Sequence, residues 1–172
     1  MTSLPEKIRN WIGTPVVTLA PVMTVDQGLW LNFCVAVEDG NPMYWNRDAD
    51  SGESEPIAPP AMLPSWMIDH EWSPDPERVP LRTLELHFML KDELGLPFGV
   101  VTAVDLEFHE PVRAGDRLRA EQILLEVSDE YQTRMGPGRR WSIAVKYYHR
   151  NDALAGIQTL HFVSYRKEEK QP

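Results

Sequence analysis

The chain has 172 residues, 42% of them hydrophobic, with a formal net charge of -9 and a pI near 5.0. This length predicts one domain with a real core, and the scattered, outnumbered basic residues exclude a nucleic-acid binder and disfavour an anionic membrane surface. One cysteine, Cys34, excludes an internal disulfide framework and a multi-cysteine zinc site, and predicts a reducing, cytoplasmic setting.

Met1 to Asn10 lacks the apolar region of a signal peptide. No apolar run approaches the roughly 20 residues that span a bilayer. Thr14 to Leu19 is β-branched and predicts one extended segment. Thr24-Val25-Asp26-Gln27 reads as a capping box with Thr24 at the N-cap and Gln27 at N3. Val25, Leu29, Phe33 and Val37 recur four apart, so a helix is expected from Val25 to about Val37. Asp39-Gly40-Asn41-Pro42 stops it, because Gly and Asn suit a left-handed cap and Pro cannot continue a helix.

Trp45 to Pro56 is polar and reads as a loop. Ala61 to Ile68 is apolar on nearly every side and follows Pro59 and Pro60, which predicts a short buried helix. Trp72 to Gly99 carries four prolines among mixed charges and reads as an insertion, placed at about residues 73–98. Within it, Arg82 to Met89 fits either a strand or a helical turn. Val100, Thr102, Val104, Leu106 and Phe108 alternate with more polar neighbours, as in a strand with one buried face. Glu110 to Asp116 is a turn, and Arg117 to Val127 a second strand. Met135-Gly136-Pro137-Gly138 signals another turn. Trp141, Ile143, Val145 and Tyr147 alternate in a third strand, Asn151-Asp152 turns the chain, and Leu154 to Tyr165 is the last strand. Short turns predict that successive strands are antiparallel neighbours. The charged tail from about residue 167 is expected to fray. Helices first and four strands later predict an α+β domain over residues 1–172. Tyr131, Trp141, Tyr147, Tyr148 and Tyr165 are expected to help a sheet face meet a second subunit.

The residues that attract chemical interest lie after the first long helix. Asp39 and Tyr44 flank an Asn41-Pro42 turn that can bring a carboxylate and a phenol into one space. Read locally, the same residues are only a helix stop and a turn. The five histidines lack the spacing of a metal cluster, so no metal is expected. His70 suits a helix C-terminus, and His109 stands at a strand end. Met62, Trp66 and Met67 fit either a core or the lining of an apolar tunnel. Arg134, Arg139 and Arg140 fit either a solvated turn or a phosphate contact. Cys34 reads as a small buried hydrophobe.

Three stretches together resemble the MaoC-like hot-dog dehydratases, close to the type found in dehydratase domains like those of fungal fatty acid synthase. Glu38-Asp39-Gly40-Asn41-Pro42-Met43-Tyr44 is similar to the family's Gly-Asp-x-Asn-Pro-aliphatic-His motif. Ile57-Ala58-Pro59-Pro60 resembles the start of the family's central helix. Phe108 to Asp116 resembles its strand and Pro-Val-x-x-Gly-Asp turn. The resemblance covers about Trp11 to Tyr165. It implies a hot-dog fold, a curved antiparallel sheet around a central buried helix. It implies an acyl thioester as substrate, on coenzyme A or acyl carrier protein, with no further cofactor. The reaction implied is reversible hydration of a trans-2-enoyl thioester to an (R)-3-hydroxyacyl thioester. Asp39 would take the place of the family's aspartate, and Tyr44 that of its histidine. A tyrosine's ordinary pKa near 10 makes it a poor base at pH 7, where a histidine serves well. The resemblance therefore implies an acyl-binding subunit in a homo- or heterodimer with a hot-dog subunit that keeps an intact Asp/His dyad. Substrate contacts are expected at Asn41, Pro42, Ala58, Ala61, Met62 and Trp66, with backbone N–H groups among Ala58, Ala61 and Met62 polarising the thioester oxygen. Two other readings stand beside it: an acyl-thioester binding module without activity, and a hot-dog thioesterase using Asp39 or Asp69.

Overall fold

The computed structural model describes residues 3–45 and 55–167. Most of the Trp45–Pro56 loop and nearly all of the tail lie outside these residues. The elements in chain order are α1 (Glu6–Trp11), β1 (Pro15–Leu19), α2 (Gln27–Ala36), a 3₁₀ turn (Pro42–Tyr44), a 3₁₀ segment (Pro60–Met67), α3 (Glu85–Leu94), β2 (Phe98–Phe108), β3 (Arg119–Val127), β4 (Tyr131–Thr133), β5 (Gly136–Tyr148) and β6 (Leu154–Tyr165). The strands form one antiparallel sheet in the order β1-β3-β5-β6-β2, with β4 paired to β5. This is the curved hot-dog sheet with helices on one face. Among the described residues, no helix is long and apolar enough to cross a membrane.

The period-two pattern of β5 builds the centre. Trp141, Ile143, Val145 and Tyr147 all point into the core. Opposite them on β6 stand Phe162 and Leu160, also buried. The other face carries a polar chain across four strands. Ser142 Oγ donates to Glu126 Oε1 at 3.1 Å and lies 2.8 Å from His161 Nδ1, and His161 Nε2 lies 3.0 Å from Asp105 Oδ2.

The sheet order corrects one sequence expectation. β2 and β3 are consecutive but do not pair, since β2 lies beyond β6 at the sheet edge. The ten-residue connection between them is a crossover and not a hairpin. A second correction concerns burial. Every residue of β2 is exposed, on both faces. As an edge strand β2 has a neighbour on one side only, and neither the 3₁₀ segment nor α3 covers it. The turn expected at Met135 to Gly138 falls at Arg134-Met135, and Gly136 to Gly138 already pair with β4. The aromatics expected at an interface divide: Trp141 and Tyr147 are core residues, and Tyr148 stacks under Arg119 at 4.2 Å.

Three helical expectations also change. The N-cap of α2 is Asp26, whose carboxylate accepts from Leu29 N at 3.1 Å, and not Thr24. Val25 is held extended by bonds to the crossover turn, from its own N to Asp116 O and from Gly115 N to its O. The buried segment after Pro59 and Pro60 is 3₁₀ rather than α, and Pro64 stands inside it. Each proline lacks an N–H, so the i→i−4 ladder never closes. The longest helix on the sheet shared with α2 in length is α3, inside the stretch read as an insertion. It buries Leu86, His87 and Leu90. Its first turn has no cap of its own. Buried Gln122 of β3 supplies one, accepting from Leu86 N at 2.9 Å and donating to Thr83 O at 2.9 Å.

His87 docks α3 onto the sheet. Its ring stacks on Phe162 at 4.1 Å, and Nδ1 accepts from Trp141 Nε1 at 3.3 Å. Burial first, and the Lys91 ammonium second, lower its pKa to about 4. The unfolded chain therefore binds a proton here between about pH 6.5 and pH 4 that the folded chain refuses. The stabilisation is complete above pH 6.5 and is lost as pH falls toward 4. Denaturant melts of the wild type should show this acid-side decline, and His87→Gln, which keeps an acceptor but does not titrate, should flatten it.

Candidate active site

The Asp39–Tyr44 stretch is built from the C-terminus of α2. Glu38 adopts a left-handed conformation, φ 56°, after the cap residue Val37. Glu38 N donates to Val35 O at 3.3 Å and Asp39 N to Cys34 O at 2.8 Å. This pair of bonds is a Schellman cap. It corrects the expectation that Gly40 or Asn41 takes the left-handed position, since Asn41 has φ -60°. Glu38 stands where the resemblance has glycine, and it holds the conformation that glycine favours. Beyond it, Asp39 Oδ1 accepts from Asn41 N at 2.9 Å, and Asn41 Oδ1 caps the 3₁₀ turn by accepting from Met43 N at 3.1 Å. Two indoles brace the stretch from behind. Trp30 Nε1 donates to Tyr44 O at 2.9 Å and Trp45 Nε1 to Asp39 O at 3.0 Å. Asp39 and Tyr44 are both half-buried, and Pro42 is exposed. Among the described residues no hydrogen bond joins the Asp39 carboxylate to the Tyr44 hydroxyl.

Beside this turn lies an apolar cavity of about 110 Å³. Its walls are Ile57, Ala58, Pro59 and Pro60, then Leu63 and Trp66 of the 3₁₀ segment, then residues 108–112 with Ala155. Backbone bonds lock these pieces together. Ile57 N donates to Met43 O at 3.0 Å, tying the motif turn to the cavity, and Ala58 N donates to Val112 O at 2.8 Å. Gly156 lets the 3₁₀ segment lie directly on β6, for a Cβ there would meet Leu63 Cδ2 at 2.5 Å.

Of the residues expected at the site, Ala58 and Trp66 line the cavity. Met62 is buried in the core, Ala61 is exposed, and neither lines the cavity. The expected amide donors are corrected in two cases. Ala58 N is committed to Val112 O, and Met62 N to Pro59 O at 2.9 Å. The Trp66 indole Nε1 is shut off from solvent and has no partner among the described residues. Such an orphan donor in a native core calls for an explanation. His109 and Glu110 also line the cavity with exposed side chains, held by bonds from their amides to Ala155 O and Leu154 O. The sequence placed them only at a strand end. Their adjacency to Ala155 depends on the β2–β6 pairing, which no local pattern encodes.

The carboxylate on the buried segment's far side has a different role. Asp69 accepts from Leu81 N at 2.9 Å and His70 N at 2.8 Å and pairs with Arg78. The Leu81 amide above all holds its pKa below the ordinary range. Asp69 thus fastens the 69–81 excursion. Among the described residues, no group of three or more His, Cys, Asp or Glu side chains is placed to hold a metal.

The chain belongs to the family of FAS1-like dehydratase domain regions, whose model matches residues 11–154. It is therefore one of the MaoC-like dehydratases. It is 24% identical over 141 residues to a probable enoyl-CoA hydratase alpha subunit of Thermomonospora curvata, a match that covers 79% of this chain and 43% of that protein. The chain thus spans under half the length of this curated relative. Its fold is similar to the ChsH1-ChsH2 complex of Mycobacterium tuberculosis, with TM-score 0.70, 21% identity, and 91% of this chain and 86% of that chain covered. It is also similar to a MaoC-like dehydratase, with TM-score 0.58, 16% identity, and 92% and 43% covered.

Two substitutions test the frame of the site. Glu38→Gly removes left-handed strain and should raise unfolding free energy by about 1 kcal/mol in urea. Gly156→Ala should overpack the Leu63 contact and lower it by about 1–3 kcal/mol. An unchanged midpoint in either case contradicts the geometry described.

Proposed function

We propose that this member of the dehydratase family is the acyl-binding subunit of a cytosolic (R)-specific 2-enoyl thioester hydratase, acting with a hot-dog partner that carries an intact Asp/His dyad. One observation carries this reading: Phe108 belongs both to the cavity and to the bare edge strand. A partner strand added along β2 would complete the sheet and close the cavity in one step. Val104, Leu106 and Phe108 stand opposite Leu160, Gln158 and Gly156, on the core side of the sheet, yet are 48%, 36% and 49% exposed. Such a contiguous apolar surface marks an interface or a ligand groove. The similar Mycobacterium tuberculosis structure is a ChsH1-ChsH2 complex, which is consistent with a paired arrangement.

Hydration needs a base to take a proton from water as it adds at C3, charge stabilisation at the thioester oxygen, and a proton for C2. In this reading the partner supplies the proton chemistry. This chain supplies the apolar walls of the acyl site and the Trp66 indole N–H, which becomes a hydrogen-bond donor to the bound thioester. A donor matched to a buried polar ligand group gives about tenfold in affinity. Asp39 is already engaged by the Asn41 amide and serves to shape the turn.

A second reading rests on His109 and Glu110, two exposed ionisable residues that line the same cavity. If they carry protons, the chain hydrates enoyl thioesters alone.

Purified chain should bind a saturated acyl-CoA, with affinity about tenfold weaker in Trp66→Phe. It should turn over trans-2-enoyl-CoA only when mixed with a dyad-bearing hot-dog subunit. Turnover by the chain alone that vanishes in His109→Ala would establish the second reading. Turnover alone that vanishes in Asp39→Asn would restore a self-sufficient motif and overturn the accessory role. Release of free thiol from acyl-CoA would replace both with thioester hydrolysis.

A further inference from the structure

β2 presents two different faces to whatever strand extends the sheet. Val104, Leu106 and Phe108 stand on the core side, while Ala103, Asp105 and Glu107 stand opposite His161, Thr159 and Ile157 on the outer side. The outer side is acidic and open. The Asp105 carboxylate lies 3.0 Å from His161 Nε2, yet its side chain remains 72% exposed. Glu107 is exposed and has no ion pair among the described residues. Its neighbour on β6 is Ile157, and Lys146, next in the same row, stands on β5 opposite Glu121 of β3.

This charge pattern works against pairing with a second copy of the same strand. Two copies of β2 would add antiparallel about a two-fold axis, each strand meeting its own sequence reversed. With the axis anywhere between Val104 and Glu107, a register that matches face to face sets Asp105 or Glu107 against Asp105 or Glu107 of the copy, directly or diagonally. An axis at the bulge between Val101 and Ala103 sets two irregularities against each other. An axis before the bulge leaves Leu106 and Phe108 beyond the end of the copy's strand. Like charges opposite one another destabilise a strand pair, and opposite charges stabilise it. The chain's net charge of -9 adds repulsion between copies at longer range.

We propose that Asp105 and Glu107 select the partner. The strand that extends the sheet belongs to a different chain, with Lys or Arg opposite these two carboxylates and apolar side chains opposite Val104, Leu106 and Phe108. This rests on the paired reading above and adds what the partner's edge must carry. A cation on the incoming strand gives Glu107 the partner that its own chain does not supply. Complementary charge at such a rim speeds encounter and fixes register, while the apolar side carries the burial. Asp105 and Glu107 therefore do more than keep an open edge from aggregating, the general use of charge on such strands. They reject a second copy and admit a strand of opposite sign.

A charge-reversed copy of the full chain, Asp105→Lys with Glu107→Lys, is the probe. Sedimentation equilibrium measures how tightly the wild type, the probe and their equimolar mixture associate, and amide exchange reports whether residues 98–108 become covered. The mixture should associate about tenfold more tightly than either form alone, with β2 protected, and the difference should shrink as salt rises. Asp105→Asn with Glu107→Gln keeps the size of both side chains and guards against misfolding of the probe. It should self-associate several-fold more tightly than the wild type. A wild type that self-associates through β2 as tightly as the mixture overturns the proposal, as does a mixture that leaves β2 unprotected. Turnover with a dyad-bearing hot-dog subunit should fall at least tenfold in the charge-reversed chain at limiting concentration. Turnover that survives the reversal overturns this proposal and leaves the proposed function standing. Failure of the wild type to bind acyl-CoA sinks that function instead, and the mixture still decides the strand's preference.

Discussion

The arrangement of the molecule depends on an unfinished sheet edge. β2 carries eleven residues, pairs with β6 on one side, and is exposed on both faces. Natural proteins blunt such edges with charge, bulges or short strands, because an open ladder of N–H and C=O groups recruits another chain. β2 has a bulge between Val101 and Ala103 and carries Asp105 and Glu107, yet six large apolar side chains remain exposed along it. The inner three extend from the core face toward the apolar cavity. Phe108 of this edge also walls the cavity, so in the proposed pairing one added strand would meet both.

The segment that packs on β6 beside this edge is shaped by its own backbone chemistry. Pro59, Pro60 and Pro64 withdraw three amides from a stretch that is apolar enough to make a buried α-helix. The chain makes a 3₁₀ segment of eight residues, settles Leu63 onto Gly156, and leaves. Helical cover resumes only at α3, which docks through His87 and is capped by Gln122 from another strand. The same proline-rich stretch makes the cavity wall. It removes amide donors there and leaves the Trp66 indole as the unpartnered polar group.

Much of the later sheet was legible because a period-two pattern survives in β5 and β6. Leu154 to Tyr165 matches the last strand to the residue, and Trp141, Ile143, Val145 and Tyr147 of β5 face the core as the alternation predicts, although Ser142 and Ala144 between them are buried too. The start of α2 was misread by two residues because Val25 bonds to a turn some 90 residues away, a contact without local signature. α3 was illegible for a similar reason, since its cap comes from Gln122 and its first turn lacks a capping side chain. β2 had the alternation of a half-buried strand, but alternation records what a strand can bury and not whether a neighbour is present. At the site, the Asp39–Tyr44 turn and the wall at Ala58 were found from motif and spacing. His109 and Glu110 were not, because each acquires its setting from the pairing of β2 with β6.

Amide hydrogen exchange along β2 is the most direct measurement of whether this edge is completed by a second subunit. In the isolated chain, part of the β2 ladder should exchange rapidly while β5 and β6 stay protected. Adding a dyad-bearing hot-dog subunit with an acyl thioester should protect residues 98–108, with Phe108 and the neighbouring cavity residues protected alongside. Unchanged exchange along β2 in a complex that binds and turns over the thioester would contradict the claim that this edge completes the site.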